Sequence, residues 1–272
     1  MGKDSWLAAG VWGGACHRHP RIGAGVGWWE QRPSETHYLI YQQKLFTSSP
    51  SRRPTMSTAT RTAIIGVGNI GSRLATRFAQ HNIPITVAAS NLENAQKVAQ
   101  QLGQNATAAT TEEAIANNDV IILAIPFAAG IELVQQYREQ LSGKTVVDPS
   151  NNIAFDEQGN ALNLNPEGVS AGQQMSKALG EGVHYVKSFG TMAAAELEKD
   201  RADHGGNIVM LYATDDDAAG NKVAALAEQA GWDPVKAGGV DDTARIEVFG
   251  DLHTFGGLQD TFLNKEEMLQ RI

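Results

Sequence analysis

Between Thr62 and Ala75 the chain reads TAIIGVGNIGSRLA, a short apolar run, a turn holding three glycines, and the opening of a helix. Gly66, Gly68 and Gly71 fall in the pattern G-x-G-x-x-G, and few backbones accommodate it: a strand must run straight into a tight turn and then a helix packed back upon it. Each glycine has its own task. Gly66 permits the turn, Gly68 lets a pyrophosphate come up to the backbone, and Gly71 lets the helix lie close to the strand. The unpaired amides and positive dipole end of that helix then face the phosphates. Gly66, Val67, Gly68, Asn69, Ile70 and Gly71 are therefore candidate dinucleotide-binding positions, provided that a full strand-turn-helix-strand unit surrounds them.

The surrounding text supplies that unit. Ile70, Leu74 and Phe78 recur at four-residue spacing, one face of a helix. IPITVAAS (Ile83 to Ser90) reads as a second strand and LENAQKVAQQLG as a second helix stopped by Gly103. DVIILAIPF is a continuous apolar run, expected of a central strand covered on both faces. A helix over Ile131 to Gln140 and a strand at KTVVDPS follow. VHYVKSFG and NIVMLYAT read as further strands and DAAGNKVAALAEQAG as a helix. Asn151 to Gly168 reads as a long polar loop, and Asp242 to Ile272 as a helical tail interrupted by glycine. Alternation of this kind predicts an α/β fold: a Rossmann-type doubly wound, mostly parallel sheet with a smaller C-terminal α/β layer.

Residues 1–55 are a different text. They hold four of the five tryptophans, the lone Cys16, and seven basic residues against three acidic, +4, leaving −12 for the remainder. No period of two or 3.6 persists there, and TSSPSRRPT reads as a linker. Neither a secretory nor a transit signal fits, so the expectation is an unstructured extension with Met56 as the working start. The chain divides on this reading into the extension 1–55, a nucleotide-binding domain 56–150 and an acceptor-side region 151–272. The net charge of −8 argues against a nucleic-acid partner. The longest apolar run, Val120 to Ile125, is too short for a bilayer. A cytoplasmic protein is expected, with a homodimer as the default assembly.

The end of the second strand bears on cofactor choice. An NAD site places Asp or Glu there, on the ribose hydroxyls; this chain has Ala89, Ser90 and Asn91, which tolerates the 2′-phosphate of NADP. Ser90 and Asn91 are candidate contacts, with Arg73 or Lys97 as the nearby base. Ser90 also fits a helix N-cap with Glu93 three residues on, and Lys97 lies four beyond Glu93. Ile125, Pro126 and Phe127, at the carboxyl end of the central strand, should line the ribose and nicotinamide, because ligands of open α/β sheets sit beyond strand ends. No proton donor of the usual kind accompanies the site: Tyr185 and Lys187 lie two apart on a strand, and His184, His204 and His253 are isolated. Direct hydride exchange between two stacked rings does not need one.

Six stretches together, IGVGNIGSRLA, the Ser90-Asn91 strand end, DVIILAIPF, VVDPSNN, VKSFGTMAAAEL and AGGVDDTARIEVFGDL, resemble in order and spacing the NADPH-dependent coenzyme F-420 reductase family, whose members resemble the N-terminal domain of pyrroline-carboxylate reductases. The likeness runs from about Thr62 to Leu258. It implies hydride exchange between NADP and the deazaflavin F-420, with a Ser and a basic residue at the second strand's end holding the 2′-phosphate. Ser90 matches; the basic position is Asn91 here, which leaves charge to Arg73 or Lys97. Gly190, just before Thr191, stands where relatives commonly carry Asn or His, so the acceptor stays open between F-420, a flavin and another small molecule. Phe189, Gly190 and Thr191, with Phe127, are the candidates for the acceptor pocket. Two other readings stand beside this one: a redox sensor that binds NADP(H) without turnover, and an imine or hydroxyacid reductase with Tyr185, Lys187 or His184 near the nicotinamide.

Overall fold

The structure, a computed structural model, describes residues 60–199 and 207–272. The expectations for the extension 1–55 and for His204 lie outside these residues.

The first half is built as alternating strand and helix. The strands are β1 (Thr62–Ile65), β2 (Ile85–Ala88), β3 (Ala106–Ala109), β4 (Val120–Leu123) and β5 (Thr145–Asp148); between them run α1 (Asn69–Gln80), α2 (Leu92–Leu102), α3 (Thr111–Asn117) and α4 (Phe127–Gln136). All four residues of β1, β4 and β5 are buried, as a sheet covered on both faces requires. A hairpin of β6 (Ile153–Phe155) and β7 (Ala161–Asn163) precedes α5 (Ala171–Leu179) and β8 (His184–Ser188). The chain closes with β9 (Val209–Ala213), α6 (Asp217–Gln229), β10 (Asp233–Gly238) and the short α7 (Lys265–Leu269).

Eight strands form one sheet in the order β10-β9-β8-β5-β4-β1-β2-β3. From β3 to β8 every pairing is parallel, the 3-2-1-4-5-6 order of a doubly wound dinucleotide fold. β9 then joins β8 antiparallel over two residue pairs and carries β10 parallel to itself. The described residues fall in one compact unit, and the boundary expected at residue 150 lies between β5 and β8, which are neighbours in a single sheet.

Side chains leave each strand alternately to two cores. Ile64, Val87, Ile122, Val147 and Val186 pack under α1, α2 and α6 against Leu74, Phe78, Ala95 and Val223. Ala63, Ile65, Ile121, Leu123 and Val146 pack under α3, α4 and α5 against Ile115, Val134 and Met175. A third cluster joins β9 and β10 to the tail through Ile246, Leu252, Leu258 and Met268.

Two expectations need correction. Residues 151–168 are not simply a loop, because Ile153 pairs with Asn163 and Phe155 with Ala161; strands of three residues are too short to show a period. The tail is helical only in the 3-10 turn Val240–Ile246 and in α7. Elsewhere it folds back on itself so tightly that a Cβ on Gly256 would lie 2.1 Å from the Gly250 carbonyl. Among the described residues no helix is long and apolar enough to cross a membrane.

Candidate functional site

The chain leaves β1 for β2 on one side and returns to β4 on the other, which opens a crevice at the carboxyl ends of β1 and β4. The glycine turn forms its floor. Gly66 holds φ +100°, a conformation few side chains tolerate, and its amide donates to the Ala88 carbonyl at 2.8 Å. A Cβ on Gly66 would lie 2.3 Å from the Ala124 carbonyl, and one on Gly71 1.9 Å from the Gly66 carbonyl. Packing therefore demands glycine at both. Gly68 differs: a Cβ there would meet no protein atom within 4 Å, and its φ is −76°. The fold does not need this glycine; an approaching ligand does. Gly68 caps α1 without a side-chain hydrogen bond, and no acid stands in the first helical turn. The first amides of α1 are thus left for an anion.

From this turn a cleft of about 640 Å³ runs past Ser90 and Asn94 to one face of α4. Of the candidates named from sequence, Gly66, Val67, Gly68, Ser90, Ile125 and Pro126 line it. Asn69, Ile70 and Gly71 form the first turn of α1, with Ile70 packed against the core. Asn91, not Ser90, caps α2: the helix begins one residue later than the sequence suggested, and the Asn91 side chain accepts from the Glu93 amide at 2.8 Å. Ser90 is thereby released to the cleft. Arg73 is held by Glu198 at 3.2 Å and donates to Asn69 at 3.1 Å. Lys97 is exposed on α2, three residues on from the cleft-lining Asn94 but not itself in the lining, and no ion pair joins it to Glu93 among the described residues.

The aromatic candidates are core residues. Phe127 opens α4 with its ring inside the second core. Phe189, at φ +63°, is fully buried between Phe78 and Trp232, with ring centroids 6.0 and 5.6 Å away. Gly190 lies against the Pro149 carbonyl, where a Cβ would come within 2.2 Å. Its own carbonyl accepts from Asn151 Nδ2 at 3.2 Å and from His253 Nε2 at 2.9 Å. Thr191 is buried, and its carbonyl accepts from the Thr254 amide.

Two features escaped the sequence reading. The first is the wall that α4 presents to the cleft, Ala129, Glu132, Leu133, Gln136 and Tyr137. Their spacing of three and four marks a second stripe beside the buried one of Phe127, Gly130 and Val134. The second is a buried polar knot at the ends of β5 and β8. Lys187 and Asp148, 2% and 0% exposed, pair at 3.0 Å. Asp148 also accepts from the Tyr185 hydroxyl at 3.1 Å and from the Ser150 amide and hydroxyl, and Lys187 donates to the Ser150 carbonyl. Glu247 lies 3.8 Å from Lys187 and accepts from the Ala171 and Gly172 amides, so its carboxylate satisfies the start of α5. Burial, then the Asp148 and Glu247 charges, push the Tyr185 phenol well above its usual range. None of these groups lines the cleft. His184 is also elsewhere, paired with Asp216 at the cap of α6.

Residues 61–152, which contain the glycine turn and the crevice, match the family described as NADP oxidoreductase, coenzyme F420-dependent. A hypothetical protein from Sinorhizobium meliloti of known structure is 30% identical, with a TM-score of 0.66 over 76% of this chain and 96% of that one. The chain belongs to this family. A candidate F420-dependent NADP reductase from Arthrobacter sp. FB24 shares the fold, with 21% identity and a TM-score of 0.59 over 66% of this chain and 86% of that one. No curated protein sequence matches the chain significantly. Membership of this family indicates an NAD(P)-dependent oxidoreductase.

Proposed function

We propose that the protein exchanges hydride between NADPH and a flavin-like or deazaflavin acceptor. The observation that carries this reading is the Gly68 turn: open to a ligand, uncapped, and set at the switch point of the sheet in a member of an NADP oxidoreductase family. The amides of Gly68 through Gly71 bind the pyrophosphate. Ser90 and Asn94, at the end of β2 where no carboxylate stands, receive the phosphorylated ribose. Neighbouring strands are about 4.8 Å apart, so the other half of the dinucleotide extends over the ends of β4 and β5, toward Asn151 and Gly190. NADPH supplies the hydride when bound.

The chain's part is to hold, orient and exclude. Among the described residues, Glu132 and Tyr137 are the only ionisable side chains lining the cleft, and Tyr185 and Lys187 are sealed inside the β5–β8 knot. This supports hydride exchange between rings, which needs proximity and orientation and no side-chain acid, over an imine or hydroxyacid reductase. A sensor that binds NADPH without turnover shares the same cleft, and turnover separates the two. NADPH oxidation followed at the nicotinamide absorbance, with F-420, FMN, FAD and no acceptor in parallel, is expected to show turnover with one ring system. Tight NADPH binding without turnover on any of them would favour the sensor.

A further inference from the structure

The cleft carries an unexplained charge. α4 buries Phe127, Gly130 and Val134 and turns a second stripe, Ala129, Glu132, Leu133, Gln136 and Tyr137, toward the open space. Among the described residues, Glu132 is the one carboxylate lining the cleft, where the proposed function places an anionic ligand. It is exposed, and no ion pair or hydrogen bond engages it among the described residues. A carboxylate accepts hydrogen bonds and donates none, so near a phosphorylated ligand it repels unless the ligand brings a donor to it.

Resting on the proposed NADPH site, the geometry points to Glu132 as the residue that reads the adenine base, through the exocyclic amine. The glycine turn fixes the pyrophosphate over β1, and Ser90 fixes the ribose at the end of β2. The remaining space lies between Thr111 at the start of α3 and the α4 stripe, walled by Ile125, Leu133 and Tyr137. A flat purine fits such an apolar and aromatic slot. On the adenosine half the donors are the ribose 3′-hydroxyl, committed to the β2 end, and the 6-amine. Glu132 accepts from that amine. Gln136, one turn further along the same face, donates its amide to the adjacent ring nitrogen. Adenine offers the pair donor-then-acceptor along this edge. Hypoxanthine inverts it, placing a carbonyl oxygen against the Glu132 carboxylate. Gln136 can turn its amide to suit; Glu132 cannot.

The test is equilibrium binding to the full chain, read by the fluorescence of the reduced nicotinamide, with NADPH and with deamino-NADPH, its hypoxanthine analogue. The native chain is expected to bind the analogue about tenfold more weakly or worse, the size of one hydrogen bond to a charged group. Glu132→Ala should bring the two ligands to within about twofold of each other, with an unchanged melting temperature because the side chain is exposed and unpaired. Glu132→Lys should favour the analogue, since an ammonium donates to the carbonyl oxygen. Tight NADPH binding with equal affinity for the analogue would overturn the base-reading role and leave the NADPH site standing. Failure of the native chain to bind NADPH at all would overturn both.

Discussion

Two places along one edge of the same sheet are built in opposite ways. At the ends of β1 and β4 the chain leaves space: glycine amides, an uncapped helix, a serine and a cleft whose only charge among the described residues is Glu132. At the ends of β5 and β8, two and three strands from β1, it buries charge instead. Asp148, Lys187, Glu247, Tyr185 and Ser150 satisfy one another under full burial. The knot fastens three turns, because Ser150 leads to Asn151, and Asn151 ties Gly190 and Val248. The difference teaches that buried ionisable groups do not always mark chemistry: here they tie turns together, while the open end is where the proposed function puts binding.

The sharpest way to break this comparison is to open the knot. Lys187→Met leaves Asp148 and Glu247 buried without their cation, and urea unfolding should show a loss of about 3–5 kcal/mol. The folded fraction should bind NADPH within about threefold of the native chain, since none of the knot lines the cleft. A large loss of affinity with unchanged stability would make Lys187 part of the site.

A smaller effect comes from the same side of the molecule. His253 is buried and donates through Nε2 to the Gly190 carbonyl, while Nδ1 accepts from the Phe255 amide. Desolvation lowers its pKa to about 4. The unfolded chain binds this proton below about 6.5, so the stability that depends on the neutral ring is complete above that pH. It is lost as pH falls from there to about 4, up to about 3 kcal/mol in all. Denaturation measured across this window should slope downward with acid more steeply in the native chain than in His253→Gln, and equal slopes would contradict the assignment.

Smallest and most local is the contrast between neighbours at the end of β2. Asn91→Ala removes the cap of α2 and should cost about 1 kcal/mol by thermal melting. Ser90→Ala should leave stability within about 0.5 kcal/mol while weakening NADPH binding. The reverse pattern would mean that the two residues exchange roles.

The contrast between the two ends also explains what could be read without coordinates. The strand-turn-helix at the crevice was legible because its physics is local: three glycines, an apolar strand before them and a helical stripe after them lie within 17 residues, Thr62 to Phe78. The doubly wound, mostly parallel sheet followed from the alternation of strands and helices. The knot was not legible, because Lys187 meets Asp148 across 39 residues and Glu247 across still more. Tyr185 and Lys187 gave only a two-residue spacing on one strand face. Phe189 misled for a related reason: its burial depends on Phe78 and Trp232, distant in sequence. β3, with the sequence ATAA, and β10, opening on Asp-Pro and ending on glycine, lack the apolar alternation of a strand and are held by their neighbours in the sheet.

The measurement that bears most directly on the account is NADPH binding to Gly68→Asp beside its thermal melting. A Cβ at this position meets no protein atom within 4 Å, and an aspartate there sits at the N-cap of α1, where it favours the helix. The account predicts an equal or higher melting temperature together with loss of NADPH binding by about a hundredfold or more, since a carboxylate then occupies the place of the pyrophosphate. Unchanged affinity in the folded variant would contradict the central claim that the glycine turn at β1 and β4 is the nucleotide site.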